Sequence, residues 1–375
     1  MRTVLFWLHL TAGLVAGILI LVMCVTGTLL TFERQTLDWA DRHAARVTPP
    51  PGATRLPVAD LIAKSGGTPA AVIVRSNPTE PVELVMGRDR TIYVNPYTGE
   101  QTGTPSARAH AFFISLRAWH RWIAISDSTH KNSQPIYDAA NVLFLFITIS
   151  GPFLWWPKKM TWRHFRPIVW FRGGLGGKAR DFNWHNTFGL WTSIPLAIIV
   201  ACGVVLSYQW ANNLLYQMTS TQPPKQERGE PLRKDQAPPP WRDVDTWVAR
   251  AQAHMPDWRT IAIRNAPTRT IAVSVDSGTG GQPQDRGTLT LDRLTGAEVK
   301  WEPFASYGLG FKIRILARVA HTGEVGGMFV QALAGLASLC GAVLVYTGFA
   351  LSLRRFVAWR RRRSRATVAE APQAA

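Results

Sequence analysis

A chain of 375 residues with 46% hydrophobic and only 18% charged side chains has room for two or three domains, and its net charge of +18 needs a location before it has a meaning. The basic residues crowd into two places: Lys158, Lys159, Arg163, Arg166, Arg172, Lys178 and Arg180 in one short link, and Arg354, Arg355, Arg360, Arg361, Arg362, Arg363 and Arg365 near the C-terminus. Both clusters flank long uncharged runs. That excludes nucleic acid as the partner and makes the charge the rim of a membrane protein, where basic residues gather in short cytoplasmic loops and meet anionic lipid.

Four uncharged runs, Val4–Phe32, Ala139–Trp156, His185–Trp210 and Val325–Leu353, are candidates to cross a bilayer core, which takes about 20 apolar residues in helical form. The first is read as an uncleaved span, because the apolar part of a signal peptide runs to about 7–15 residues. With both basic clusters on one side, the termini are expected in the cytoplasm and residues 33–136 and 211–324 outside. The expected segments are span one at 1–34, an outer module at 35–107, an interfacial helix with span two at 108–158, a basic loop at 159–184, span three at 185–212, a linker with a second outer module at 213–312, span four at 313–354 and a basic tail at 355–375.

In chain order, "LPVADLIAKSG" has helical spacing, and "AAVIVRS", "VELVMG" and "TIYVN" read as strands before the turn "PYTGE". After the Pro-rich polar linker "TQPPKQERGEPLRKDQAPPP" the series recurs: "WRDVDTWVARAQAHM" as helix, then "TIAIRN", "TIAVSV" and "GTLTLDRLTGAEV" as strands. The spans recur as well. His9, Thr11, Gly13, Leu14 and Gly27 match His185, Thr187, Gly189, Leu190 and Gly203 at one constant offset, and "LRAWH" before span two matches "LARVAH" before span four. The expected fold is therefore an α-helical membrane protein, a bundle of four transmembrane helices with two small outer α+β modules, internally duplicated.

The duplication puts four histidines at span entrances, His9 and His185 at the inner face, His120 and His321 at the outer. An ionisable ring at membrane depth usually meets a partner inside the bundle. Two neutral imidazoles from facing helices suit a six-coordinate b-type haem, two such groups per chain, which favours electron transfer over oxygen chemistry. Gly13 and Gly189, one turn beyond His9 and His185, would let a flat macrocycle approach the backbone. Arg117, Arg121 and Arg318 are placed to meet propionates at the outer pair and Arg180 at the inner. No catalytic acid or base is needed. The competing reading is that each histidine is a hydrogen-bonded structural residue. His130 and His164 are assigned to their loops, and His43, His110 and His254 to the surface. Trp155, Trp156 and Trp162 read as an interfacial aromatic belt. Cys24, Cys202 and Cys340 fall inside spans as small core residues, and there is no C-x-x-C-H for covalent haem. "RGGLGGKAR" is not a phosphate loop, since no Ser or Thr follows its lysine.

"RAWHRWI", "NVLFLFITISGPFLWWPKK", "KARDFNWHNTFGLWTSIPLAIIVACGVVLSYQWAN" and "HTGEVGGMF…GLASLCGAVLVYTGFALSLRR" resemble the PepSY-associated transmembrane proteins, and within them the bacterial inner-membrane siderophore-iron reductases. The resemblance implies that the outer modules are periplasmic PepSY domains and that two haems b pass electrons to a ferric siderophore in the periplasm. It carries the histidine roles onto His9, His120, His185 and His321. Where the family reads "SYPWAN" this chain has Gln209. No nicotinamide or flavin fingerprint is present, so the electron donor would be a quinol or a cytoplasmic reductase. Two alternatives stay open: a membrane-tethered PepSY protein that binds peptide or inhibits a protease, and a haem reductase for another periplasmic acceptor, such as a cupric ion or a partner cytochrome.

Overall fold

The computed structural model describes residues 1–87, 90–124, 133–157, 161–224, 241–266 and 268–369. His130, Lys158, Lys159, most of the Pro-rich linker and the side chain of Arg365 lie outside the described residues. In chain order the elements are α1 (Arg2–Leu30), α2 (Glu33–Asp41), α3 (Val58–Lys64), β1 (Ala71–Arg75), β2 (Val82–Met86), β3 (Arg90–Val94), β4 (Gln101–Gly103), α4 (Ala107–Trp122), α5 (Ser133–Trp155), α6 (Trp162–Val169), α7 (Gly177–Ser207) and α8 (Gln209–Met218). There follow α9 (Val244–His254), β5 (Thr260–Arg264), β6 (Thr270–Asp276), β7 (Arg286–Asp292), β8 (Glu298–Pro303), α10 (Leu309–His321) and α11 (Gly327–Ala369). The chain divides into a helical unit, residues 1–31, 114–212 and 320–375, and a sheet unit, residues 32–113 and 213–319.

In the helical unit α1, α5, α7 and α11 are each long and apolar enough to cross a membrane. They form a ring in which α1 and α7 each pack against both α5 and α11. Ala16, Ile20, Cys24, Ala140, Phe144, Leu196, Val200 and Ala337 fill its centre. Lipid is as apolar as leucine, so such helices are joined by close packing of small residues rather than by the hydrophobic effect. Gly17 shows this: a Cβ there would stand 2.6 Å from the ring of Phe349. At Gly341 it would stand 2.7 Å from Cys24 Sγ. Cys24 and Cys340 are buried and Cys202 half-buried, all as free thiols.

Three boundaries differ from the sequence expectation. α7 begins at Gly177 rather than 185, since nothing in "KARDFNW" breaks a helix and the glycines that do precede it. The supposed basic loop contains α6. α11 continues without interruption to Ala369, because its arginines are good helix formers and no Gly or Pro intervenes.

The sheet unit departs further. The expected strands are present, each set with one more strand after its turn, but they do not close two separate modules. All eight join in one antiparallel sheet of order β4-β3-β2-β1-β5-β6-β7-β8. β1 and β5 pair at the centre, with the inward residues Val72 and Val74 opposite Ile263 and Ile261. Each strand alternates buried and partly covered residues. A lone module would leave the edge of β1 open, a template for unwanted pairing, and β5 closes it. α3 and α9 pack together beside the sheet, and Asp245 of α9 caps α3 by accepting from the backbone N–H of Val58 (2.6 Å) and Ala59 (3.1 Å). Leu61, Trp247, Leu84, Ile271, Leu289 and Leu291 complete a fully buried core.

Candidate functional site

His9, His120, His185 and His321 stand in the helical unit, and each of these rings reaches across to a different neighbouring span. His9 of α1 places Nδ1 2.8 Å from Ser150 Oγ on α5. His120 of α4 places Nδ1 2.8 Å from Thr26 Oγ1 on α1. His185 of α7 places Nδ1 2.9 Å from Thr347 Oγ1 on α11. His321 of α10 places Nδ1 2.8 Å from the carbonyl oxygen of Ile199 on α7.

These acceptors decide the tautomer. The three hydroxyls already donate their protons along their own helices: Thr26 to Val22 O (2.6 Å), Ser150 to Ile147 O (3.2 Å) and Thr347 to Val343 O (2.9 Å). A hydroxyl so committed can only accept, and a carbonyl always accepts. Every Nδ1 therefore donates, and every Nε2 carries the lone pair. This is the form in which an imidazole binds a metal, with the outer hydrogen bond fixing orientation and raising basicity. Among the described residues no hydrogen bond engages any of the four Nε2 atoms.

The residue that follows each hydroxyl is glycine, and its bare backbone makes room for the ring. A Cβ at Gly27 or Gly203 would meet His120 Cε1 or His321 Cε1 at 3.3 Å, and one at Gly151 or Gly348 would meet His9 Cε1 or His185 Cε1 at 3.8 and 3.6 Å. The signal stands in the sequence: a hydroxyl before a glycine at Thr26-Gly27, Ser150-Gly151 and Thr347-Gly348, with Cys202-Gly203 at the matching place in span three. Cys202 is the exception that accounts for His321. A thiol is a poor acceptor, and that ring turns to a main-chain oxygen instead.

The rings form two pairs. His120 and His321 have centroids 6.1 Å apart and planes inclined at 54°. An iron held between two imidazoles needs about 6.4 Å, from two metal–nitrogen bonds of roughly 2 Å and roughly 1.2 Å from each nitrogen to its ring centre. The spacing fits. His9 and His185 lie at one end of the bundle, both against the same stretch of α11: Gly348 faces the His185 ring, and Arg355, two turns on, stacks over Phe6 and Trp7 beside His9. Along α1, His9 and Thr26, the seat of His120, are separated by about 26 Å (26 − 9 = 17 residues at 1.5 Å each), so the two pairs sit at opposite ends of the bundle. Among the described residues no three His, Cys, Asp or Glu side chains gather to hold a bare ion.

The other sequence candidates fall out unevenly. Gly13 has nothing within 4 Å of where a Cβ would be, leaving space beside the backbone one turn from His9, whereas Gly189 makes ordinary contact with Leu344 at 3.7 Å. Arg180 is committed elsewhere: its guanidinium donates to Asp181 at 2.8 and 3.1 Å, and Arg354 donates to the other oxygen of that fully buried carboxylate at 3.0 Å. Arg117, Arg121 and Arg318 are exposed on α4 and α10, with Arg121 stacked 4.5 Å from the ring centre of Trp122. His164 bonds Thr161 Oγ1 in its own turn at 2.6 Å. His110 and His254 are more than surface residues: His110 pairs with buried Asp41 at 2.8 Å, and His254 stacks on Trp301 with centroids 4.6 Å apart.

Fold and site together define a membrane protein of four apolar spans, bearing one antiparallel sheet and two pairs of inward-facing histidines held in a single tautomer. The profile of the PepSY-associated TM region matches residues 6–355, and the chain belongs to that family. No curated protein matches it.

Proposed function

We propose that the protein is a di-haem b electron-transfer protein of the bacterial inner membrane, with both termini cytoplasmic, that reduces ferric siderophores on the periplasmic side. The observation that carries this reading is the set of four histidines with Nδ1 bonded and Nε2 open, two of them 6.1 Å apart. His9 and His185 hold the inner haem, His120 and His321 the outer, and haem bound there supplies the one-electron chemistry of iron. The chain's own part is to orient and to exclude. The seats on Ser150, Thr26 and Thr347 and on the Ile199 carbonyl keep each ring aimed. Ala16, Ile20, Cys24, Phe144, Leu196 and Val200 keep water from the path between the pairs.

The duplication reading rests on the same seats: Thr26-Gly27 of the first half corresponds to Cys202-Gly203 of the second, and β1 to β5. The sheet unit is then a periplasmic PepSY pair fused through its central strands, and the ferric chelate receives its electron on that side. Fe²⁺ is held less tightly than Fe³⁺ by hard oxygen ligands, so reduction releases the metal. A quinol or a cytoplasmic reductase supplies the electron.

A pyridine haemochrome assay on purified protein should give two haems b per chain. His9→Ala or His185→Ala should remove one, and His120→Ala or His321→Ala the other. The dithionite-reduced protein should be reoxidised by ferric siderophore under anaerobic conditions. A colourless preparation from haem-replete cells would end this reading in favour of a peptide-binding protein. Reoxidation by cupric ion but by no ferric siderophore would change the acceptor.

A further inference from the structure

Trp155 closes α5 and belongs by sequence to an interfacial aromatic belt. Two of that belt's members fit the description, with Trp156 48% and Trp162 67% exposed. Trp155 does not fit. Its indole nitrogen is buried, and among the described residues it has no hydrogen-bond partner. The described residues supply no acceptor for it, so a partner has to come from a group held inside the helical unit, admitted when the side chains over the indole part. A buried tryptophan normally finds an acceptor for its N–H, and an orphan is costly.

The position of Trp155 says where an acceptor would come from. It stands four residues after Gly151, and i and i+4 share one face of a helix. Long helical side chains lean back toward the N-terminus, so this indole lies over the turn containing Ser150 and Gly151. That turn is the seat of His9. Its own neighbour, Trp156, stacks on it with centroids 5.9 Å apart. Of the cations near the inner pair, Arg180 and Arg354 are both spent on Asp181, Arg2 donates to the Trp156 carbonyl, and Arg355 stacks over Phe6 and Trp7.

We infer that the Trp155 indole N–H is a ligand-binding donor that anchors a carboxylate of the porphyrin held by His9 and His185. This rests on the haem reading above and extends it to a residue outside the histidine set. The inner site thereby grips an anionic edge with a neutral donor, where the arginine expected from the sequence is engaged elsewhere.

The test is a chemical double-mutant cycle on the full-length protein in detergent. Wild type and Trp155→Phe are stripped of pigment and reloaded with haem or with haem dimethyl ester, whose carboxyl groups carry no charge. Loss of each to excess apomyoglobin is followed in the Soret band. The ester should leave one wild-type site about tenfold to a hundredfold faster than haem does, the worth of one hydrogen bond to a charged group. In Trp155→Phe, haem should leave that site as fast as the ester leaves it in wild type, with the other site unchanged. Should the variant not accumulate, the wild-type comparison decides alone, and equal rates for haem and ester overturn the inference. Unchanged haem retention in Trp155→Phe overturns it too, and a raised KM for quinol beside that result would assign the N–H to the donor's oxygen instead. Wild type that takes up no haem sinks the haem reading itself. Two firmly held haems indifferent to Trp155 sink only this step.

Discussion

Thr26→Val tests whether the hydroxyl seats act on the ring they hold. Valine has the shape of threonine, so the substitution opens no cavity in α1, and it removes only the oxygen 2.8 Å from His120 Nδ1. The lost bond is worth about 0.5–1.5 kcal/mol net, and the Nδ1–H is left without its acceptor. An Nδ1–H bond makes the imidazole a stronger donor and so favours the ferric over the ferrous state. Expressed wholly in that balance, the loss raises the midpoint potential of the outer haem by about 20–60 mV, since a one-electron couple moves by about 59 mV per 1.4 kcal/mol. Spectroelectrochemical titration of the purified variant reads the shift, with the inner haem as internal reference. Thr26→Ser keeps the acceptor and should return the outer potential to the wild-type value. A potential unmoved in Thr26→Val at full haem content would show that the seat does nothing for the iron. A shift that Thr26→Ser fails to reverse would show that packing, not the hydrogen bond, is responsible.

Gly13→Phe enters space with no atom within 4 Å, so the variant should fold as well as wild type yet bind one haem instead of two. Two haems in the haemochrome assay would place the macrocycle elsewhere. Cys202→Thr restores to span three the hydroxyl that the other spans have, and exchanging the Ile199 carbonyl for this weaker acceptor should raise the outer potential by less than about 30 mV. A downward shift contradicts the reasoning. In the sheet unit, the backbone N–H of Thr295 first, and the Arg269 guanidinium next, hold the Asp292 carboxyl down from 3.8 to about 2. A depressed acid contributes stability that is complete above its unfolded value and fades as pH falls through the folded one, so the loss should run between pH 4 and pH 2. Asp292→Asn should flatten that part of the acid-unfolding curve of the full-length protein, followed by circular dichroism. An unchanged slope means that other carboxylates govern it.

What could be read before folding, and what could not, divides along the range of the interactions involved. Periodicity and charge marked the spans, and a constant offset brought out His9 and His185, because these are patterns written along one segment. Strands β1 and β5 were each legible, but their pairing was not. It joins residues nearly two hundred positions apart, and nothing in "AVIVR" or "TIAIR" names its partner. The helical extension of α11 was missed for a different reason, since a run of arginines reads as a solvated tail until one asks whether anything in it would stop a helix. The seats fall between these cases. Ser150-Gly151 and Thr347-Gly348 occur once per span in plain view, yet a hydroxyl beside a glycine is unremarkable inside a membrane helix until a ring from another span lies on it. Cys202 makes the point sharpest. The sequence shows a cysteine where the pattern wants an acceptor, and only the fold shows that the backbone three residues earlier takes over the task. The site is thus defined less by its ligands than by what they lean on, and the two are specified in different helices.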